Sequence, residues 1–449
     1  MSSSFRPFSN SLFQKISQSK ILSGALILTL AGFLSKCIGF LFRIYLSRTF
    51  GAENVGIYQL VAPVMAIAYA ISVSGIQTAI SKLTATLVAD KKKSFQDSYM
   101  VLAIGLFLSL SLSILIACFV YRNAAYLASH YLKEARTAPL FCILSFSFPA
   151  SAIHSCINGY CLGLKKASFP AVSQLIEQCI RVVSIMILCH YSARIHIAYA
   201  VAGVVIGESF SAVISIFYFI HHMQKKRLCL SNQHYLIPIL QLSFPLTLSR
   251  IIQNILQSME AVAIPEKLQA YGHSTQTALS HYGVLTGMAL PLILFPTALT
   301  HSLSVMLLPA ISEAQALDRK ETISRYLIRS IQGCLLLGAA FTAMFFLGSS
   351  LISTILFRVP LVGTYIRTLS FICPFLYINS TLTGIMHGLG RTFSIFLYST
   401  ICLAIRLPVI FFLVPRFGMQ AYLIVLLASQ LLLTILQVTN LGTFLLSTE

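Results

Sequence analysis

Long apolar stretches alternate with short polar segments along the whole chain. A hydrocarbon core of about 30 Å requires roughly 20 apolar residues in a helix that crosses it. Twelve stretches reach that length, at residues 21–47, 54–80, 98–121, 138–162, 168–190, 196–220, 234–258, 280–308, 324–347, 362–387, 392–414 and 418–441. The segments between them are short. The pattern therefore predicts an all-α integral membrane protein with about twelve transmembrane helices and no soluble domain.

The two halves of the chain carry a matching pattern of small and basic residues. Three pairs are separated by 225 positions: Gly159 and Gly384, Gly163 and Gly388, and Arg181 and Arg406. Spans 1–6 and 7–12 are therefore predicted to be two copies of one six-helix unit. Because six is an even number, both copies insert the same way up, with a pseudo-two-fold axis along the membrane normal.

This repeat predicts two lobes with short flanking segments. The predicted divisions are a cytoplasmic N-terminal segment at 1–20, an N-lobe at 21–222, a cytoplasmic linker at 223–233, a C-lobe at 234–441 and a cytoplasmic tail at 442–449. Most of the 31 Lys and Arg residues fall on the side of the N-terminus. Cytoplasmic loops are enriched in these residues, so we expect a multi-pass protein of the bacterial cytoplasmic membrane with both termini inside the cell.

Composition supports this class and excludes several others. The chain is 57% hydrophobic and 10% charged, against roughly 25% charged residues in soluble domains. A soluble enzyme, a disordered protein and a coiled coil are therefore excluded. The net charge of +19 is spread between apolar spans rather than concentrated on one basic domain, so no nucleic-acid partner is expected. The chain contains none of the common enzyme motifs, which predicts a protein that is not an enzyme and holds no metal or cofactor.

Eight ionisable residues lie inside the predicted spans, where charge is costly. The five cations are Lys36, Arg43, Arg181, Arg250 and Arg406, and the three acids are Glu177, Glu208 and Glu260. A charge at a helix centre costs roughly 2.5–3.5 kcal/mol on insertion scales, so such groups face the bundle interior or a wet cavity. Because the cations outnumber the acids, we predict a cationic cavity for an anionic substrate. Arginine suits phosphate, since its planar fork donates to two oxygens.

Structural interpretations of these charges stay open beside the functional ones. Glu177 and Arg181 are four residues apart and suit an ion pair on one helix face. Arg43 is near the predicted outer end of its span, where its side chain could reach the interface. Glu260 also lies near an outer end, where solvation would explain it, and Arg406 has no acid within one helical turn.

Other polar and kinking positions are candidates for coupling and movement. The three acids are predicted to serve either in ion pairing or in coupling to Na⁺ or H⁺. Proline removes a helix hydrogen bond and kinks the helix. Four prolines within spans are therefore candidate hinges: Pro63, Pro291, Pro296 and Pro374.

Two segments carry a resemblance to a known family. Residues 31–83 read AGFLSKCIGFLFRIYLSRTFGAENVGIYQLVAPVMAIAYAISVSGIQTAISKL, and residues 281–314 read HYGVLTGMALPLILFPTALTHSLSVMLLPAISEA. Both resemble the stage V sporulation protein B family of polysaccharide biosynthesis proteins. That family belongs to the multidrug/oligosaccharidyl-lipid/polysaccharide (MOP) exporter superfamily and is related to the lipid II flippases.

The resemblance implies a fold, an activity and a set of binding residues. The fold is two six-helix lobes around a central cationic cavity. The activity is alternating-access transfer of a polyprenyl pyrophosphate-linked oligosaccharide or peptidoglycan precursor from the cytoplasmic to the outer leaflet. Related flippases bind the pyrophosphate with cations of the first span and the second lobe, and the matching region here supplies Lys36 and Arg43. The expected partners are this anionic lipid-linked sugar and membrane lipids, with Na⁺ or H⁺ as candidate coupling ions and a monomer as the working form.

Two other functions remain as alternatives. A cation-coupled multidrug antiporter of the same superfamily would need acids that hold cationic drugs, whereas the first span carries Lys36 and Arg43. A non-transporting polytopic protein of envelope polysaccharide synthesis would retain the fold without transport. A sugar polymerase or ligase would be expected to have a large outer loop, and the predicted outer loops are short.

Overall fold

The computed structural model describes residues 20–89, 95–192, 196–223 and 235–446, and every regular element in these ranges is helical. The helices of the first half are α1 (Lys20–Tyr69), α2 (Gly75–Ala89), α3 (Phe95–Arg122), α4 (Ala124–Tyr126), α5 (Ala138–Leu144), α6 (Ser147–Gly163), α7 (Ser168–Tyr191) and α8 (Ala198–Met223). Those of the second half are α9 (Leu236–Ala270), α10 (Thr275–Gly283), α11 (Leu290–Leu294), α12 (Thr297–Ala316), α13 (Lys320–Ile352), α14 (Pro360–Leu369), α15 (Cys373–Gly388), α16 (Thr392–Phe412), α17 (Val414–Phe417) and α18 (Met419–Leu446). Single π-helical turns join several of them, among them Ala70–Ser74, Val284–Ala289 and Ser353–Phe357.

Ten of the described helices are long and apolar enough to cross a membrane. A pair bent by 45°, Ala135–Ser145 and Ser147–Gly163, makes eleven if it is one span. The longest stretch, Thr29–Ala89, has 61 residues and would extend about 90 Å if it were straight. Gly51 interrupts it with φ 76° and ψ 168°, a conformation essentially restricted to glycine. The all-α membrane fold is thus confirmed, while the number twelve stays a prediction.

Parts of the predicted domain scheme fall outside the described residues. Residues 1–19 of the N-terminal segment, 224–233 of the linker and 447–449 of the tail belong to this group. Helix α18 extends to Leu446, five residues beyond the predicted end of the C-lobe at 441. The remaining division into lobes stays a prediction.

The matched glycines of the repeat lie at close helix contacts in both halves of the chain. A Cβ placed on Gly159 of α6 would lie 2.6 Å from the carbonyl oxygen of Gln77 on α2. A Cβ on Gly384 of α15 would lie 2.8 Å from the Cβ of Ser304 on α12. Glycine at these positions lets two helix backbones approach closely. The two contacts correspond under the predicted repeat, whose symmetry axis itself stays a prediction.

The two predicted lobes meet closely next to Gly51. A Cβ on Gly56 would lie 2.2 Å from the carbonyl oxygen of Leu279, and one on Gly283 would lie 2.1 Å from that of Ala52. Helix α1 and helix α10 are therefore in backbone contact. No larger residue fits at either glycine without movement of a helix.

Polar contacts join the lobes at the same end of the molecule. The Nε of Arg48 donates to the carbonyl oxygen of Leu356 at 2.7 Å. The Lys133 ammonium lies 2.8 Å from a Glu266 carboxylate oxygen. The Tyr131 hydroxyl donates to Ser258 Oγ at 2.9 Å. Together with the glycine contacts, these bonds close the bundle at the end where Gly51 lies.

The predicted hinge prolines occupy different local structures. Pro63 lies inside α1, whereas Pro296 separates α11 from α12 as the residue before the first turn of α12. Pro291 and Pro374 lie in the first turns of α11 and α15, where a missing N–H is tolerated. Pro296 therefore marks a real break in the eighth predicted span, and hinge motion at any of the four stays a prediction.

Candidate functional site

A cavity of about 990 Å³ lies between the two predicted lobes. One wall comes from α1 and α7, and the facing wall comes from α11, α12 and the π-helical turn before α11. Before Gly51, the lining along α1 extends from Thr29 to Arg43, about 20 Å at 1.5 Å per residue. A volume of this size accommodates the polar head of a large amphiphile rather than a single ion.

Lys36 and Arg43 lie two helical turns apart on α1, and both line this cavity. Arg43 Nη1 donates to the backbone carbonyl of Thr286 at 3.2 Å, which bridges the two lobes. His301 lines the opposite wall and lies within electrostatic reach of Lys36. The remaining polar lining consists of amides and hydroxyls, among them Gln59, Gln174, Gln178, Ser302 and Thr286.

A second chamber of about 220 Å³ adjoins the main cavity. The two share Gly39, Arg43, Gln59 and Gln178, and the second chamber adds Arg181. Among the described residues, neither chamber is lined by an Asp or a Glu. The wall of the two chambers is therefore cationic as far as the structure describes it, with Arg181 in the second chamber.

Arg181 belongs to a buried group that we call the N-lobe cluster: His154 on α6, Glu177 and Arg181 on α7, and Glu208 on α8. Arg181 Nη2 lies 2.5 Å from Glu177 Oε1 and 4.0 Å from Glu208 Oε1. His154 Nε2 lies 3.8 Å from Glu177 Oε2, and its Nδ1 lies 3.1 Å from Glu208 Oε2. These side chains are 11–18% exposed. The structure thus brings together the predicted Glu177–Arg181 pair, and Glu208 lies near the same arginine.

The N-lobe cluster is the one group of described residues with the spacing of a metal site. The ligand atoms of His154, Glu177 and Glu208 lie within 4.8 Å of one another. The Arg181 guanidinium already lies against both carboxylates and supplies the positive charge that a metal ion would bring. We therefore assign no metal to this group.

Arg406 belongs to a second buried group, the C-lobe cluster, which comprises Glu260, Arg406, Tyr422 and Ser429. Arg406 Nη1 lies 3.6 Å from Glu260 Oε1, and its Nε donates to Ser429 Oγ at 2.8 Å. The Tyr422 hydroxyl donates to the same Glu260 oxygen at 2.5 Å. Glu260 is only 7% exposed, so the expectation that solvation explains it is wrong. Its partner lies on α16 and therefore could not be seen from spacing along α9.

Arg250 lies apart from the other predicted cations. It is exposed, and among the described lining residues of the two chambers it does not occur. Its charge acts on the Tyr69 hydroxyl, which hydrogen-bonds to Ser155 Oγ at 3.1 Å. The structure therefore places Lys36, Arg43 and Arg181 along one continuous space, with Arg250 and Arg406 outside its lining.

Sequence reasoning missed several polar residues of this region. His154 is an isolated histidine in an apolar span, and its partners lie 23 and 54 residues further along the chain. Gln174 and Gln178 did carry a signal, because two amides four residues apart share one helix face. The position of His301 inside a predicted span did mark it as a histidine that could titrate, but the sequence favoured a core role for it over a place in the cavity wall.

The fold is shared with solved membrane transporters. The structure of the lipid II flippase MurJ in an inward closed conformation matches with a TM-score of 0.71 at 15% identity, covering 93% of this chain and 88% of that one. An inward-facing multidrug resistance MATE family transporter of the MOP superfamily matches with a TM-score of 0.68 at 13% identity, covering 95% and 99%. At these identities the likeness is one of fold: the chain is a multi-pass membrane protein with the fold of MOP-superfamily transporters.

Sequence comparison then gives the family. The family model described as polysaccharide biosynthesis protein matches residues 21–315, and the chain belongs to that family. Stage V sporulation protein B of Bacillus subtilis (strain 168) is 26% identical over 427 residues, which cover 92% of this chain and 82% of the relative. Sporulation protein YkvU of the same organism is 24% identical over 325 residues, 70% of each chain. The resemblance predicted from residues 31–83 and 281–314 is confirmed.

Proposed function

We propose that the protein is an alternating-access flippase for a polyprenyl pyrophosphate-linked oligosaccharide or peptidoglycan precursor, and that it is a transporter rather than an enzyme. The observation that carries the proposal is the inter-lobe cavity with Lys36 and Arg43 in its wall and no acidic side chain among its described lining residues. Support also comes from the relative named stage V sporulation protein B and from a structural neighbour named a lipid II flippase.

The pyrophosphate is the part of such a substrate that the cavity suits. Arg43 offers a planar fork that binds two phosphate oxygens, and Lys36 adds a point charge two turns away on the same helix. The sugars stay hydrated among the amides and hydroxyls of the wall, while the lipid tail stays in the bilayer between the lobes. We give the main binding role to Lys36 and Arg43, because Arg181 and Arg406 already have carboxylate partners.

The orientation of the cavity fits loading from the cytoplasm. It lines α1 mostly before Gly51, from Thr29 to Arg43, with Gln59 the one described lining residue of α1 after it. The lobes are closed beside Gly51 by the Arg48, Lys133 and Tyr131 contacts. With the N-terminus in the cytoplasm of a bacterial cell, the cavity faces inward and these contacts break when it opens outward. A membrane potential, negative inside, favours outward movement of negative charge by about 2.3 kcal/mol per charge per 100 mV.

Reconstitution tests this proposal directly. Liposomes would contain the protein and a fluorescent undecaprenyl pyrophosphate-linked sugar, whose transfer is followed with a membrane-impermeant quencher. We expect transfer by the wild type and a loss of at least about tenfold in Lys36→Gln and Arg43→Gln, which corresponds to about 1.4 kcal/mol of lost interaction. Arg325→Gln serves as a matched control, because Arg325 is exposed on α13 and is absent from the described lining of both chambers.

The outcomes separate the proposal from its alternatives. Full activity in both cavity variants contradicts the assignment of Lys36 and Arg43. Absence of transfer, combined with uptake of a cationic dye under a Na⁺ or H⁺ gradient, favours a cation-coupled multidrug antiporter. Absence of both favours a non-transporting membrane protein of envelope polysaccharide synthesis.

A further inference from the structure

The two ring nitrogens of His154 face two different carboxylates. Nδ1 lies 3.1 Å from Glu208 Oε2 on α8, and Nε2 lies 3.8 Å from Glu177 Oε2 on α7. A neutral imidazole has one N–H and one lone pair, whereas an imidazolium has two N–H donors. With a neutral ring, one carboxylate therefore faces a lone pair. With a protonated ring, each carboxylate faces a nitrogen that carries a proton, although Nδ1 and Glu208 Oε2 are not aligned as a hydrogen bond in this structure.

With both carboxylates ionised, the charges of the N-lobe cluster balance only when His154 is protonated. Glu177 and Glu208 carry two negative charges, and Arg181 carries one positive charge. Protonated His154 makes the cluster neutral, and neutral His154 leaves one uncompensated negative charge. An uncompensated charge among side chains that are at most 18% exposed is costly, so the cluster has a place for one proton.

Arg181 and His154 share the same two carboxylates. The Oε1 atoms of Glu177 and Glu208 face Arg181, and the Oε2 atoms face His154. When His154 is neutral, Arg181 is the only cation for both acids. When His154 is protonated, it neutralises one carboxylate, so the attraction between the two carboxylates and Arg181 becomes weaker.

Arg181 also has one buried donor without a described partner. Its Nε is fully buried and has no hydrogen-bond partner among the described residues. The same side chain lines the second chamber together with Arg43 and Gln178. An anion that enters this chamber would therefore meet one arginine that is held by acids and one that donates to a backbone carbonyl.

Other charged and titratable groups near His154 come from neighbouring helices. Tyr69 on α1 hydrogen-bonds to Ser155 and lies within electrostatic reach of Glu208 and Arg250. Arg250 on α9 adds positive charge on the side of Tyr69. The closest charges to the imidazole are nevertheless the three members of its own cluster, so these decide its proton occupancy.

We propose that His154 binds one proton when an anionic phosphate group binds beside Arg181, so that proton binding in the N-lobe cluster and anion binding in the second chamber favour each other. The proton comes from the water of the cavity and adds to the free ring nitrogen, with no other bond changed. Coupling of this kind is reciprocal: acid pH raises the affinity for the anion, and the anion raises proton uptake. The inference rests on the proposed function, which supplies the pyrophosphate group as the anion.

Calorimetry of the purified full chain in detergent tests the coupling, with inorganic pyrophosphate as the probe. Titrations in buffers of different ionisation enthalpy give the number of protons taken up per pyrophosphate bound. Pyrophosphate itself titrates, so the decisive quantity is the difference between the wild type and His154→Gln. We expect the wild type to take up more protons per pyrophosphate than His154→Gln does. As pH rises, the pyrophosphate affinity of the wild type should also fall more steeply than that of the variant, by up to about tenfold per pH unit.

Two further variants keep the test independent of folding defects. Glu208→Gln removes one acid and makes the cluster neutral without a proton, so it should bind pyrophosphate and lose the excess uptake. His190→Gln is the matched control, because His190 is an exposed histidine on the same helix as Glu177 and Arg181. It should behave as the wild type.

The outcomes distinguish this inference from the proposed function. Binding with the same proton uptake in the wild type and His154→Gln overturns the coupling alone. The coupling to protons is also overturned if the pyrophosphate affinity changes when choline replaces Na⁺ at constant pH. Absence of pyrophosphate binding at every pH overturns the phosphate-binding role of the cavity and this inference with it.

Discussion

The two partly buried arginines that the predicted repeat places at equivalent positions have different surroundings. Arg181 shares two acids with a histidine, and Arg406 has one acid, one tyrosine hydroxyl and one serine hydroxyl around it. With all acids ionised, the C-lobe cluster is therefore neutral, whereas the N-lobe cluster becomes neutral only when His154 is protonated. If the predicted repeat and the proposed protonation of His154 both hold, one position in the repeat carries a fixed ion pair in one lobe and a titratable one in the other.

Arg181 and Arg406 also differ in their position relative to the cavity. Arg181 lines the second chamber and keeps its Nε without a partner. Arg406 is absent from the described lining of both chambers, and its Nε donates to Ser429. A fixed pair suits a structural role, in which it holds α9, α16 and α18 together. A titratable pair beside the cavity suits a role that changes during transport.

The largest effect is expected when the C-lobe pair is broken. Glu260→Gln leaves Arg406 buried without a counter-charge, and a guanidinium cannot lose its proton to compensate. We expect destabilisation of about 3–5 kcal/mol at every pH between about 5 and 8. Denaturant unfolding of the purified protein measures this value.

A double variant separates the lost charge pair from lost packing. Glu260→Gln with Arg406→Met removes both charges and should recover most of the lost stability, since a buried pair can often be replaced by apolar groups at little cost. A Glu260→Gln variant that is as stable as the wild type would contradict the fixed pair and remove the contrast between the lobes.

These clusters also show what the sequence reveals and what it conceals. Hydropathy is a local property, so the all-α membrane fold could be predicted. The cost of charge within a span led to Lys36 and Arg43 on the cavity wall, but also to Arg250, which is outside the described lining. Glu177 and Arg181 could be paired because they lie one helical turn apart. The Glu260–Arg406 pair spans 146 residues and depends on how α9 packs against α16, which no spacing along one helix encodes.

A smaller effect is expected when the N-lobe cluster is made to resemble the C-lobe cluster. Glu208→Gln leaves one acid for Arg181, so the cluster is neutral with an unprotonated histidine. Below the range in which His154 titrates, the variant should be less stable than the wild type by about 1–2 kcal/mol, because an imidazolium is left with too few acids. Above that range the difference should shrink or reverse, because the wild type then carries the uncompensated charge.

Thermal unfolding across about pH 5–8 measures this crossover, with His190→Gln as the control for an unrelated histidine. A wild-type melting temperature that falls with rising pH, together with a smaller change in Glu208→Gln, would agree with a proton bound to His154. Parallel curves would mean that the N-lobe cluster is as fixed as the C-lobe cluster.

The smallest effect concerns the Nε atom, which among the described residues has a hydrogen-bond partner in Arg406 but not in Arg181. Ser429→Ala removes the acceptor of Arg406 Nε and gives Arg406 the same unpartnered atom that Arg181 has. We expect a loss of about 1 kcal/mol in the free energy of unfolding. Ser349→Ala is the matched control, since that buried serine donates to a carbonyl of its own helix, and it should change stability much less. If Ser429→Ala also leaves stability unchanged, the serine does not anchor Arg406, and the lobes differ through their acids and His154 alone.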